Sequence, residues 1–152
     1  MNSSANELTP DPVKTGLELG YQAADFLIHR PFMQYVLTQF TLPGFSDLNA
    51  IPSSIASRAQ KALKIAIKHV STVRKLQTVD WFTIKQVLVA TLLVIAASKV
   101  MNDDAMLEKE AMDTLNGATE IFARAAKSSE SAKRALQLVS EIRVSLTEVN
   151  GA

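Results

Sequence analysis

The sequence predicts an all-α fold, about five helices packed around an apolar central helix at residues 81–100. Three observations predict it. Apolar residues recur three and four positions apart in four segments, the spacing that lines one side of a helix. Helix-starting residues precede each segment and the central run: Asp11-Pro12, Ser53-Ser54, Asp80, Asn102-Asp103-Asp104 and Ser128-Ser129. No strand alternation, internal repeat or Asn-Gly hairpin signal occurs.

The first helix begins after Asp11, with Pro12 at the position where a missing N–H costs nothing. Its apolar stripe reads Val13, Leu17, Tyr21, Ala24, Leu27 and Ile28. Gly16 and Gly20 lie beside it, and glycines inside a helix suggest a close neighbouring helix. Pro31 predicts the end at His29 or Arg30, because proline disfavours helical geometry in the residue before it. A short helical piece at Phe32, Tyr35, Val36, Leu37 and Phe40 follows. Residues 41–52, punctuated by Pro43-Gly44 and Pro52, read as a loop packed through Leu42, Phe45, Leu48 and Ile51.

Ser53 or Ser54 caps the second helix, which runs to about Leu76 with Ile55, Ala59, Ala62, Leu63, Ala66, Val70 and Val73 inward. Asp80 caps the third, Trp81 to Val100, which is apolar on every side from Val87 to Ala97. That run is near half the length of a membrane span and is flanked by Lys85 and Lys99. A helix enclosed by other helices, with no membrane, is the expectation. Trp81 and Phe82 are expected in the core. The fourth helix places acids at its start and Lys127 at its end, with Leu107, Ala111, Leu115, Ala118, Ile121, Phe122 and Ala125 inward. The fifth turns Ala132, Ala135, Leu136, Val139, Ile142, Leu146 and Val149 to one side.

A chain of 152 residues with 47% apolar residues fits one domain, placed at residues 13–149 between a disordered tail at 1–12 and a short tail at 150–152. The net charge of +1 supplies no overall field for nucleic acid or anionic membranes. With no cysteine, disulfides, thiolate nucleophiles and sulfur-ligated zinc are excluded. The polar start of the chain lacks the pattern of a secretory signal.

Catalytic chemistry has little to build on. The two histidines, His29 and His69, fall on different helices, and neither follows a glutamate by three or four positions. No Gly-rich phosphate loop or nucleophile elbow occurs. Asp103, Asp104, Glu108 and Glu110 read as the acidic start of a helix. The expectation is a chain that is not an enzyme and takes no cofactor or metal. The second helix does carry a basic face, Arg58, Lys61, Lys64, Lys68 and Lys75, and no acid occurs between Asp47 and Asp80. Such a face could contact phosphates in a salt-dependent way, or stand solvated and pair with acids of the fourth helix.

Leu27-Ile28-His29-Arg30-Pro31-Phe32 resembles the Leu-Leu-His-Arg-Pro-Phe element of the regulatory domain (middle homology region) of fungal binuclear zinc-cluster transcription factors. The succession of an alanine-rich helix at 59–65, an apolar helix at 81–97 and Ser131-Ala132-Lys133-Arg134-Ala135-Leu136 is similar to the C-terminal part of that region. The resemblance implies a regulatory, protein-interaction domain of the nucleus, acting in transcription regulation without catalysis. The six-cysteine DNA-binding module is not implied, so nucleic acid is not an expected partner without a separate module. The front of the regulatory region has no counterpart here, and both a fragment and a short homologue fit. In either case the first and third helices would keep open apolar faces, predicting self-association or a helical protein partner through Leu17, Tyr21, Leu27 and the third helix. An apolar small-molecule effector walled by the third helix is compatible, with no identifiable polar anchor. The alternatives are a cytoplasmic helical-bundle scaffold and non-specific nucleic-acid binding through the basic face.

Overall fold

The computed structural model describes residues 12–42, 50–101 and 104–151. The chain forms five α-helices: α1 Pro12–Gln39, α2 Ser53–Arg74, α3 Trp81–Val100, α4 Ala105–Ala125 and α5 Glu130–Gly151. No strand occurs among the described residues. The expected tail at 1–12 lies outside them up to residue 11, and helix α5 continues to Gly151, past the expected boundary at 149.

Apolar on all sides, α3 sits in the middle and packs against each of the other four helices. Ile84, Val87, Ala90, Leu93, Val94, Ile95 and Ala97 are buried. Thr91 is buried too, and its hydroxyl donates to the Val87 carbonyl, so no polar atom there goes unsatisfied. The whole helix is longer than its apolar run. By length and composition this 20-residue helix could cross a membrane, an 18-residue stretch of it having a mean hydropathy of 1.7, but 44% of that stretch is buried against protein.

The amphipathic helices supply the walls. In α2 the residues Ala59, Ala62, Leu63, Ala66, Val70 and Val73 are buried, and Ile55 is half-buried. In α4 the inward face is Leu107, Ala111, Leu115, Ala118, Ile121 and Phe122, and in α5 it is Ala132, Ala135 and Val139. Gly117 lets α2 and α4 close up: a Cβ there would stand 3.3 Å from the Val70 side chain.

Asp80 caps α3 by accepting from the Thr83 N–H at 2.8 Å, and Asp104 caps α4 through Leu107 N–H at 3.1 Å. Ser129 accepts from Ala132 N–H before α5. Neither Ser53 nor Ser54 caps α2. The cap position is Pro52, which makes no side-chain bond, and the helix stops at Arg74. Ile51 is buried and Leu42 is half exposed, while Phe45 and Leu48 lie outside the described residues. Trp81 and Phe82 are 64% and 46% exposed rather than core. Helical side chains lean toward the N-terminus, so those of the first turn project past the packed part of α3.

The largest departure is α1. It does not stop at Pro31 but continues through it for 28 residues in all. Proline removes one backbone hydrogen bond and crowds the Leu27 carbonyl, costing about 3 kcal/mol in a helix interior. Beyond it, Met33 and Val36 are fully buried and Phe32, Leu37 and Phe40 half-buried. Each buried side chain of that size contributes about 1.5–3 kcal/mol, so packing outweighs the break. The packing face is also not the expected one. Gln22, Phe26, His29, Met33 and Val36 point inward, and Val13, Leu17, Tyr21, Ala24, Leu27 and Ile28 point outward.

Candidate functional site

The Leu27-to-Phe32 hexapeptide lies inside α1 rather than at its end. Leu27 and Ile28 are 48% and 60% exposed. His29 is buried, with Nδ1 donating to the Asp25 carbonyl oxygen at 2.8 Å and close to the Asp25 carboxylate at 3.2 Å. Arg30 lies over the Phe26 ring at 5.9 Å, and its Nε is buried without a partner among the described residues. These two side chains therefore do not cap a helix end. Phe32 is half-buried under the guanidinium of Arg58, 5.2 Å from the ring centre. That contact, with the Gln22–Thr72 contact further up, sets α1 and α2 antiparallel.

The stripe chosen from the sequence forms an outer ridge. Val13, Leu17 and Tyr21 are more than two-thirds exposed, and Tyr35 extends the ridge past Pro31. Its spacing of threes and fours is the pattern of a helix seam. The charged residues of α1, Lys14, Glu18, Asp25 and Arg30, lie off it. Low contrast between its two faces explains the misreading: the buried face carries Gln22 and His29, while the stripe from Val13 to Ile28 is apolar and has exposed Lys14 and Glu18 beside it. By contrast the exposed large apolar side chains of α3 are Leu92 and the Trp81–Phe82 pair, whose rings meet edge to face at 6.2 Å.

Arg58, Lys61, Lys64 and Lys68 of α2, and Lys75 just past its end, are all exposed. Lys61, Lys64, Lys68 and Lys75 share the side opposite the core, and Arg58 stands toward α1 over Phe32. A shallow groove holding Lys64, Lys68 and Lys75 also takes in Glu18 of α1 and Glu110 of α4, which dilute its positive charge. Arg74 pairs with Glu120 of α4, and Arg124 of α4 donates to the Arg74 carbonyl at 2.7 Å. No group of three or more potential ligands that could hold a metal occurs among the described residues.

The arrangement that sequence reasoning missed is centred on His69. His69 is buried on the core stripe, where its spacing from Ala66 and Val73 by three and four gives the signal. Its Nδ1 lies 3.2 Å from Gln22 Oε1. Because that oxygen only accepts, the proton sits on Nδ1 and Nε2 is left as an acceptor. Gln22 Nε2 in turn donates to Thr72 Oγ1 at 3.2 Å and toward Glu18 Oε1 at 3.4 Å. Burial holds the imidazole below its ordinary value of 6.5, favouring the neutral ring. Its Nε2 is buried with no partner among the described residues.

No protein-family model, curated protein or solved structure matches the chain.

Proposed function

We propose that this chain is a non-catalytic association domain that pairs with a second copy of itself along the outer face of α1. One observation carries the reading: Val13, Leu17, Tyr21, Leu27, Ile28 and Tyr35 stand exposed on one side of a single helix with no charged side chain among them. Side chains of this size and exposure would bury on the order of 700 Å² per copy, close to the roughly 800 Å² per partner of a standard interface. Two copies related by a two-fold axis bring the same patch together, and an uncharged patch meets itself without like-charge repulsion. The role in transcription regulation, and a place in the nucleus, rest on the resemblance of residues 27–32 to zinc-cluster regulators. A cytoplasmic scaffold would use the same face.

Light scattering coupled to size-exclusion chromatography tests the pairing across a range of protein concentrations. A dimer that becomes a monomer in Leu17→Glu/Tyr21→Glu, with unchanged helical circular dichroism, supports it. A wild-type chain that stays monomeric up to high micromolar concentration overturns it.

A further inference from the structure

Asp80 starts α3, and the next two residues are Trp81 and Phe82, both largely uncovered by the protein's own helices. First-turn side chains lean back toward the helix start, so both rings project at the end of the bundle rather than into it. Neither belongs to the core. Trp81 is also the sole tryptophan of the chain.

The same end gathers positive charge. The loop after α2 and the turn between α4 and α5 meet there, with Thr78 and Val79 sharing a shallow cleft with Arg124 and Ser128. Arg124 also donates to the Arg74 carbonyl at the end of α2. Lys75 and Lys127 are exposed and make no ion pair among the described residues. Lys85 reaches back over Trp81, with Nζ 5.5 Å from the ring centre.

The carboxylates nearby do not cancel this charge. Glu120 is taken up by Arg74, and Glu130 by Lys133 at 3.1 Å. Asp80 accepts from the Thr83 N–H, and Glu18, a neighbour of Lys75 in the groove against α1, accepts from Gln22. Lys75, Lys85, Arg124 and Lys127 together outnumber those two acids.

We infer that this end of the bundle docks on an anionic lipid surface. The Trp81 and Phe82 rings enter the headgroup region, and Lys75, Lys85, Arg124 and Lys127 lie over the negative headgroups. Tryptophan favours that boundary, and each nearby cation strengthens the attraction to anionic lipid. A net charge of +1 gives the whole chain no general pull, so the contact is confined to this end. Helix α3 stays enclosed by the bundle, which rests on the surface without spanning it. Single-stranded nucleic acid is the competing polyanion, and it needs an open ring face on which to stack. Lys85 covers one face of Trp81 and Phe82 stands edge-on to it, which favours lipid. None of this depends on pairing between copies.

The test follows Trp81 emission of the full chain with vesicles of equal parts phosphatidylserine and phosphatidylcholine. A saturable blue shift, quenching by lipids brominated near the headgroup, and loss of both in high salt are expected. Phosphatidylcholine alone should shift the emission little. Trp81→Ala/Phe82→Ala should fail to sediment with the mixed vesicles. Lys75→Gln/Lys127→Gln, which keeps the tryptophan, should bind roughly tenfold more weakly. The inference is overturned if the mixed vesicles leave the emission unmoved at low salt, if phosphatidylcholine shifts it equally, or if either variant binds like the wild type. Stronger quenching by bromines deep in the acyl chains overturns it too, since α3 would then have entered the bilayer. So does a single-stranded oligonucleotide that quenches Trp81 and displaces the protein from the vesicles.

Discussion

His69 Nδ1 of α2 and Gln22 Oε1 of α1 are joined by a buried hydrogen bond of 3.2 Å. It ties the middle of α2 to the upstream half of α1, where apolar anchoring is thinnest. Gln22→Leu strands the imidazole and should cost about 1–3 kcal/mol, the usual penalty for a buried polar group losing its partner. Replacing both residues with leucine should recover most of the loss. Urea denaturation of the two single variants and the double variant checks the coupling.

The same imidazole makes stability depend on pH. Burial lowers its affinity for a proton in the folded chain, while in the unfolded chain it titrates near 6.5. Protonation therefore favours unfolding. The contribution is complete above pH 6.5 and is lost as pH falls from there through the lower folded value. Glu18 accepts from Gln22, and Asp80 lines the same cleft as His69. Asp80 is itself held below 3.8, chiefly by the Thr83 N–H, and adds a separate loss only in far more acidic solution. Denaturation midpoints between pH 7.5 and 5 should decline in the wild type and flatten in the His69→Leu/Gln22→Leu double variant, with Glu18→Gln as a control.

Pro31→Ala restores a helical N–H opposite the Leu27 carbonyl and removes the crowding there. Because Pro31 is exposed, nothing in the core has to repack. A gain of roughly 2 kcal/mol is expected, the helix-interior cost of proline reduced by the extra freedom alanine gives the unfolded chain. Thermal and chemical denaturation of the variant measure it.

Gly117→Val tests the opposite kind of glycine. A Cβ at this position already stands 3.3 Å from Val70, and Arg74 lies 3.5 Å away on the same side. Two further methyls would push α2 and α4 apart, a loss of about 1–3 kcal/mol. Denaturation should show that loss, and Gly16→Ala, whose added carbon meets open space, should not.

The legible parts of the fold were those where one face of a helix is apolar and the other is not. The burial of Ala59 to Val73 and of Leu107 to Phe122 follows from spacing alone, as do the caps at Asp80 and Asp104. Helix α1 was misread because both its sides are apolar, and hydrophobicity chose the side without Gln22 and His29. Reading Pro31 as a stop then removed Met33 and Val36, whose burial would have identified the inner face. A local rule lost to tertiary packing against α2, where Arg58 lies over the Phe32 ring. Leu17, Tyr21 and Leu27, the residues expected to meet a partner, stand exposed on the outer side of α1. The His69–Gln22 contact stayed hidden because its two members come from different helices, 47 residues apart in the chain.

Pro31 also divides α1 into two lengths with different tenacity. Downstream, Met33 and Val36 are locked under the bundle; upstream, the inward contacts are Leu19, Gln22 and Phe26. The interrupted ladder prevents fraying at one end from propagating smoothly to the other. Amide protons from Val13 to about Ala24 should exchange with deuterated solvent much sooner than those from Met33 to Gln39. The first three turns of this helix can then open and reclose while the rest of the molecule keeps its shape.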